Sequence, residues 1–285
     1  MNKIFVILFI LLFSTCYTLA QNTSSVDQTG NYHVATVNQT GSNTSDIDQI
    51  RTDYTYYPNV HNVATVNQNG SGNQSTIYQY KGTYGGNVYN SEATVQQVGS
   101  SNISDINQNV NDHAHSVTTQ LGNQNQAYVD QISNTSWSTI YQNGHRNIGD
   151  QYLWTSNSTA DITQVGNDNE AYQTTLTPPV KNSTFDVLQY GNGNYAQQDM
   201  KATAWGYASE LNTEYVYQQG NYNTAYQYQE GSSNYAYANA VGNHNYADVT
   251  QIGDFNSSTQ VQNGNYHSST VSQIGDNNIS TVTQY

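Results

Sequence analysis

From residue 62 onward, side chains alternate between two environments with a period of two. One face reads Asn62, Ala64, Val66, Gln68, and the next stretch gives Asn73, Ser75, Ile77, Gln79. Ser91, Ala93, Val95, Gln97 and Asn102, Ser104, Ile106, Gln108 repeat it, as do Asn245, Ala247, Val249, Gln251 and Asn278, Ser280, Val282, Gln284. Alternation with period two predicts β-strands. The repeated face is Asn, a small residue, a β-branched residue, then Gln. By this spacing about 22 strands are expected, two per rung, in about eleven rungs.

The punctuation between strands is as regular. Stepping by eleven from Gln218 gives Gln229, Ala240, Gln251, Gln262, Gln273 and Gln284. Two residues after each of the six positions from Gln218 to Gln273 stand Gly220, Gly231, Gly242, Gly253, Gly264 and Gly275. Three further on come Asn223, Asn234, Asn245, Asn256, His267 and Asn278. The unit Q-x-G-x-x-N recurs upstream at Gln68–Gly70–Asn73, Gln97–Gly99–Asn102, Gln120–Gly122–Asn125, Gln142–Gly144–Asn147, Gln164–Gly166–Asn169 and Gln189–Gly191–Asn194. Gln28 and Gln39 open the series, and Gln79, Gln108 and Gln131 close strands without the turn motif. Glycine supplies backbone freedom at the reversal.

The fold class expected is all-β, a two-sheet β-solenoid with about 22 residues per rung. Consecutive strands should face each other across a thin core, with large residues opposite small ones. A lone buried amide costs on the order of 1–3 kcal/mol. Stacking equivalent Asn and Gln residues into ladders removes that cost. Of the Asp and Glu residues only Glu214 falls on an inward position, where a wetter or distorted rung is expected. Extra residues fall on one side, at 50–61, 80–90, 176–182 and 201–211, and hold Pro58, Pro178 and Pro179. Insertions on one side of a solenoid often mark a binding face.

Composition supports this and excludes much else. The chain holds 39 Asn and 30 Gln in 285 residues, with 26 Tyr, and charged residues are 9 %. Aliphatic residues are too few for a conventional core, and Asn, Thr, Ser, Gly and Tyr disfavour helices. Residues 1–20, with Lys3 and the apolar run 4–13, read as a signal peptide, leaving 21–285 as one domain. A membrane anchor is the alternative, but the run is short for a bilayer. Cys16 sits in a poor lipidation context. Removing Lys3 leaves 5 basic residues against 20 acidic, a net charge of 5 − 20 = −15. Such a chain is not expected to bind nucleic acid, which needs clustered Lys or Arg. It has no second apolar segment of membrane-spanning length.

These residues resemble the curlin repeat, S-x5-Q-x-G-x-x-N-x-A-x3-Q. Ser91 through Gly99 show its first half, and Gln120, Gly122, Asn125, Ala127 and Gln131 its second. The resemblance runs over about residues 22–285. It implies an amyloid subunit of curli-like extracellular fibres, self-assembling and adhesive within a biofilm matrix. A nucleator subunit and a dedicated outer-membrane secretion pore, reached through a bacterial periplasm, are the implied partners. The Gln, Asn and Gly residues named above are the expected assembly ladder and turns.

Other chemistry is weakly signalled. No catalytic constellation and no cofactor motif stands out. His113 and His115 could present two imidazoles to a metal, without a cysteine nearby. Gly191-Asn192-Gly193 is a turn of the repeat, without the lysine of a phosphate loop. Outward tyrosines, among them Tyr226, Tyr228, Tyr235, Tyr237 and Tyr246, suit strands and offer an aromatic surface. Two rival functions remain: a monomeric adhesin binding glycan or a surface through its loop side, and an ice-binding solenoid. The second needs an unbroken Thr column, and Thr36, Thr65, Thr94, Val117, Thr139, Asp161, Asp186, Tyr215 is broken.

Overall fold

The computed structural model describes residues 21–30, 32–50, 61–81, 90–110, 113–132, 135–176, 180–202 and 211–285. The expected leader at 1–20, the three prolines and most of the four insertions lie outside these residues. Every regular element among them is a strand, 22 in all, from Thr23–Thr29 to Ile279–Gln284.

All strand pairings are parallel, and a strand generally pairs with one two places further along the chain. Ile103–Val110 pairs with Gln126–Gln131, which pairs with Ile148–Leu153. Between them in sequence, Glu92–Ser100 pairs with His115–Asn123, which pairs with Trp137–His145. Chain neighbours touch through side chains instead. Ser138 Oγ donates to Gln151 Oε1, and Gln173 Nε2 reaches the Asp161 carbonyl at 2.9 Å. Small opposes large there: a methyl at Gly149 would stand 3.0 Å from Ile140 Cγ2.

Two features depart from the expectation. The strands do not divide into two large sheets: twenty form one hydrogen-bonded sheet, and Thr155–Ser156 pairs separately with Val180–Lys181. The cause is local. Val34–Ile50 and Val63–Lys81 run through the corners at Gly41 and Gly70 without a break, so each joins both series of pairings. The count of 22 is also reached differently. These two long strands each replace two expected ones, and the pair of two-residue strands was not expected.

Burial follows the alternation. Ala64, Val66, Ile77, Ala93, Val95, Ile106, Ile140, Ile162, Val187, Val216 and Val249 are fully buried. A second apolar cluster joins Leu153, Ala160, Val180, Phe185 and Met200. Register aligns Thr36, Thr65, Thr94, Val117, Thr139, Asp161, Asp186 and Tyr215 as successive partners, so the outward column is as mixed in space as in sequence.

Candidate functional site: amide ladders and glycine corners

Parallel in-register pairing places each Gln beside the Gln of the next paired strand. One ladder runs Gln39, Gln68, Gln97, Gln120, Gln142, Gln164, Gln189, Gln218. Each Nε2 donates to the next Oε1 at 2.7 to 2.9 Å. A second runs Gln28, Gln49, Gln79, Gln108, Gln131 at 2.7 to 3.1 Å. Gln229, Gln251 and Gln273 continue that position near the C-terminus at 2.8 Å, and Gln262 donates to Gln284 at 3.0 Å. Many of these amides also donate to a facing backbone carbonyl, as Gln97 does to Gln74 O at 2.9 Å. Between Gln218 and Gln262 the ladder is cut by Ala240, as its sequence position suggested.

The asparagines stack in the opposite sense. Asn73, Asn102, Asn125, Asn147, Asn169, Asn194 and Asn223 each donate Nδ2 back to the preceding Asn Oδ1 at 3.0 to 3.2 Å. The same nitrogen also reaches forward to a corner glycine carbonyl, for example Asn102 to Gly122 O at 2.8 Å. Backbone N–H groups of Asn234, Asn245 and Asn256 continue the pattern onto Asn212, Asn223 and Asn234, and Asn278 stacks on Asn256 at 2.9 Å. Of the expected ladder residues, those from Gln68 to Gln273 are buried. Gln39, Asn278 and Gln284 are half-buried and Gln28 is exposed, because they lie in end strands.

One ladder escaped the sequence reading. Gln151, Gln173, Gln198 and Gln227 form it at 2.8, 3.0 and 3.0 Å. Here the usual Gln position holds Leu153, Thr175 and Met200, and Gln stands two residues earlier. A shift of two keeps the same face of a strand, so the amide stays inside while the register of chemistry changes. Gln at i with an apolar residue or Thr at i+2, in three strands two apart, is the signal that finds it.

The glycines of the motif, Gly70, Gly99, Gly122, Gly144, Gly166, Gly191, Gly220, Gly231, Gly242, Gly253, Gly264 and Gly275, have φ from 100° to 142°. Backbone freedom is one reason for Gly. Close approach is another: a Cβ on Gly70 would collide with the Gly99 carbonyl, and the same holds from Gly99 through Gly242 along that column. The residue two places after Gly is also left-handed, which composition hid. Ser101, Gln124, Arg146, Asp168, Tyr222, Ser233, His244, Phe255, Tyr266 and Asn277 have φ of 54° to 61°. The stack holds them there, with N–H bonds such as Tyr266 N to Asn243 O at 3.0 Å. Tyr222, His244 and Tyr266 stack as nearly parallel rings with centroids 5.2 and 5.0 Å apart.

Glu214 is fully buried, and neither carboxyl oxygen has a hydrogen-bond partner. Its strand, Thr213–Gln219, keeps regular alternation and register, with Phe185 and Ala236 as its partners. The expectation of a distorted rung is therefore corrected. The group sits fully buried in regular structure, and burial, then Asp199, pushes its carboxyl well above the usual range.

His113 and His115 flank buried Ala114. His115 stacks on Trp137 at 4.5 Å and lies 3.4 Å from Glu92. Among the described residues no three His, Cys, Asp or Glu side chains gather into a metal-holding group. Asn192 of the Gly191 turn bonds to Asn221 Oδ1 at 3.0 Å, as a repeat turn does. No helix among the described residues is long and apolar enough to cross a membrane.

The sequence pattern of the curlin associated repeat matches residues 228–253 and 261–285. Both stretches lie where strands, glycine corners and Asn ladders recur without insertion. No curated protein matches the chain.

Proposed function

We propose that this curlin-repeat chain is a secreted, self-assembling subunit of curli-like extracellular amyloid fibres, serving biofilm matrix and surface adhesion. Its two series of parallel pairings wind as about eleven rungs of a β-solenoid, residues 21–285 being one domain after loss of a 1–20 leader. A nucleator subunit and an outer-membrane pore complete the system, as the family resemblance implies.

One observation carries the reading: the end strands are compatible with each other. Laying a second copy's Thr23–Thr29 over Ser268–Ile274 at the internal register puts Ser24 over Ser269, Val26 over Val271 and Gln28 over Gln273. Val34–Gln39 over Ile279–Gln284 puts Ala35 over Ser280, Val37 over Val282 and Gln39 over Gln284. Gln ladders donate toward the C-terminal side, so Gln273 and Gln284 would meet the open acceptors of Gln28 and Gln39. Asp27 would lie over Ser272, so no like charges stack at the junction. A head-to-tail contact of this kind does not close, and repeated, it makes a filament.

Incubating the 21–285 chain tests this. Fibres should form with a meridional reflection near 4.7–4.8 Å. A chain that stays monomeric at every concentration would overturn the assembly reading and leave the adhesin. Val249→Asp, which buries a charge in the stack, should block fibres.

A further inference from the structure

We propose that the outward strip Tyr172–Tyr195–Tyr226–Tyr246 is an oxidative cross-linking site, whose neighbouring phenols couple into dityrosine when a peroxidase-type oxidant acts on the folded chain. The strip comes from register. Its four residues lie on the successive paired strands Glu170–Leu176, Tyr195–Lys201, Thr224–Glu230 and Tyr246–Ile252. They alternate between the first and second outward positions, so their rings meet diagonally. Centroids are 5.7, 5.4 and 5.9 Å apart, with interplanar angles of 40°, 45° and 51°. At such spacing and tilt, neighbouring rings are in edge contact. On the opposite side of the core, tyrosines among the described residues meet in pairs, Tyr190 with Tyr217 and Tyr215 with Tyr237.

Proton acceptors stand at both ends. Tyr172 Oη donates to Glu170 Oε2 at 3.3 Å, and Asp248 Oδ2 lies 3.5 Å from Tyr246 Oη. Tyr195 Oη donates to Gln197 Oε1, a neutral amide, at 3.0 Å. Phenol oxidation releases a proton with the electron, so a carboxylate beside the hydroxyl assists it. Tyr246 is also the most open of the four, 36 % exposed, and is the natural entry point. The other three are half-buried and receive the oxidation from their neighbours.

The chemistry balances. Each of two tyrosines loses one electron and its hydroxyl proton to give two phenoxyl radicals. A carbon–carbon bond forms between their ring positions ortho to oxygen. The two displaced ring hydrogens return to the oxygens, restoring both phenols. Hydrogen peroxide takes the two electrons and two protons and becomes two waters. The product is a covalent tie between strands that otherwise hold by hydrogen bonds and packing. It is independent of whether copies assemble, because all four rings belong to one chain.

The test treats the folded 21–285 chain with a haem peroxidase and hydrogen peroxide, then maps linked peptides by mass spectrometry. Links Tyr195–Tyr226 and Tyr226–Tyr246 should dominate. Tyr226→Phe keeps a ring in the strip but leaves Tyr172–Tyr195 as the one of its three pairs able to couple, so strip-derived dityrosine should fall below about a third. The double variant Glu170→Gln with Asp248→Asn should slow coupling without moving its positions. Links falling instead on the most exposed tyrosines, Tyr266 and Tyr285, would overturn the proposal. So would an unchanged yield in Tyr226→Phe, or the same link pattern in the denatured chain.

Discussion

The two corners of the stack obey different rules. On one, Gly41, Gly70, Gly99, Gly122, Gly144, Gly166, Gly191, Gly220, Gly242 and Gly264 follow each other with positive φ. On the other, Asn90, His113, Thr135, Asn157, Asn182 and Leu211 hold the left-handed position, and positive-φ glycines of the motif stand at Gly30 and then at Gly231, Gly253 and Gly275. Separation between ladder partners varies from 21 to 30 residues, and nearly all of the variation falls on the second corner. The inward residues differ too. The glycine corner is lined by Asn stacked on Asn, whereas the middle of the other passes through Ser136, Ser158 and Ser183, whose hydroxyls accept from the backbone N–H groups of Ser158, Ser183 and Asn212 at 3.2 to 3.4 Å before Asn212, Asn234 and Asn256 take over. A corner whose backbones pack against each other cannot admit an insertion. A corner held by small hydroxyls can.

The largest expected effect tests that contrast directly. Gly191→Ala places a methyl against the Gly220 carbonyl, in a backbone conformation that L-residues avoid. Both faults act together, so a loss of about 4 kcal/mol or more, and no fibres, is expected. Asn182→Ala on the other corner, at φ 51° and exposed, should cost about 1 kcal/mol. Denaturant midpoints of the two variants decide it. Similar losses would erase the distinction between the corners.

The second corner's freedom reaches the core. Between residues 151 and 229, on rungs that span two of the longer connections, the inward residues change to Leu153, Thr175, Met200, Phe185 and Glu214. The amide ladder survives by moving to Gln151, Gln173, Gln198 and Gln227. Gln173→Ala would strand Gln198 Oε1 in the interior, while Gln151 Nε2 keeps the Thr139 and Ala160 carbonyls. At about 1–3 kcal/mol for the stranded group, a loss near 2 kcal/mol is expected. Gln97→Ala, in the regular ladder, should cost the same. A much smaller loss at Gln173 would mean the shifted ladder fills space without holding the stack.

What the sequence could reveal follows the same division. Period-two alternation and the eleven-residue phase of Gln, Gly and Asn located the strands, the inward face and the glycine corner, because each repeats a backbone requirement. The left-handed residue after the corner glycine stayed hidden, since Ser, Arg, Tyr, His and Phe share no chemistry there. The shifted Gln ladder was missed because a search keyed to one position skips an amide two residues away. The merging of two sheets into one depends on whether strands bend or break at Gly41 and Gly70, which residue type does not encode.

Glu214 links the irregular core to pH. Burial raises its carboxyl pKa, so the folded chain binds this proton more tightly than the unfolded chain does. Stability from the neutral form is fully present below the ordinary carboxylate range and falls as pH rises toward the folded value. Asp186 acts in the same sense, pushed up to about 6 chiefly by burial. Folding and fibre growth should therefore be favoured at mildly acidic pH. Glu214→Gln should flatten this dependence and raise stability at neutral pH by about 1–3 kcal/mol. Midpoints at several pH values read it, and an unchanged slope in the variant would place the pH response elsewhere.

The smallest effect is expected on the glycine corner itself, at its outer surface. Arg146 Nε and Nη2 bond Asp168 Oδ1 and Oδ2 at 2.6 and 2.7 Å, across neighbouring left-handed positions. Geometry this good invites a stability role, and the pair does hold the Asp168 carboxyl below its ordinary range through the Arg146 hydrogen bond. Both side chains are nonetheless open to water, with 58 % and 49 % of their surface exposed. Exposed pairs give back most of their attraction in screening and side-chain entropy. Arg146→Gln retains a long polar side chain and tolerates the same backbone, since Gln124 already occupies that conformation in the preceding turn. It should leave the denaturant midpoint unmoved at physiological salt, while Gly144→Ala, two residues away, should unfold the stack. If Arg146→Gln were instead comparably damaging, the strictness of this corner would lie in its outer charges and not in the contact between glycine backbones.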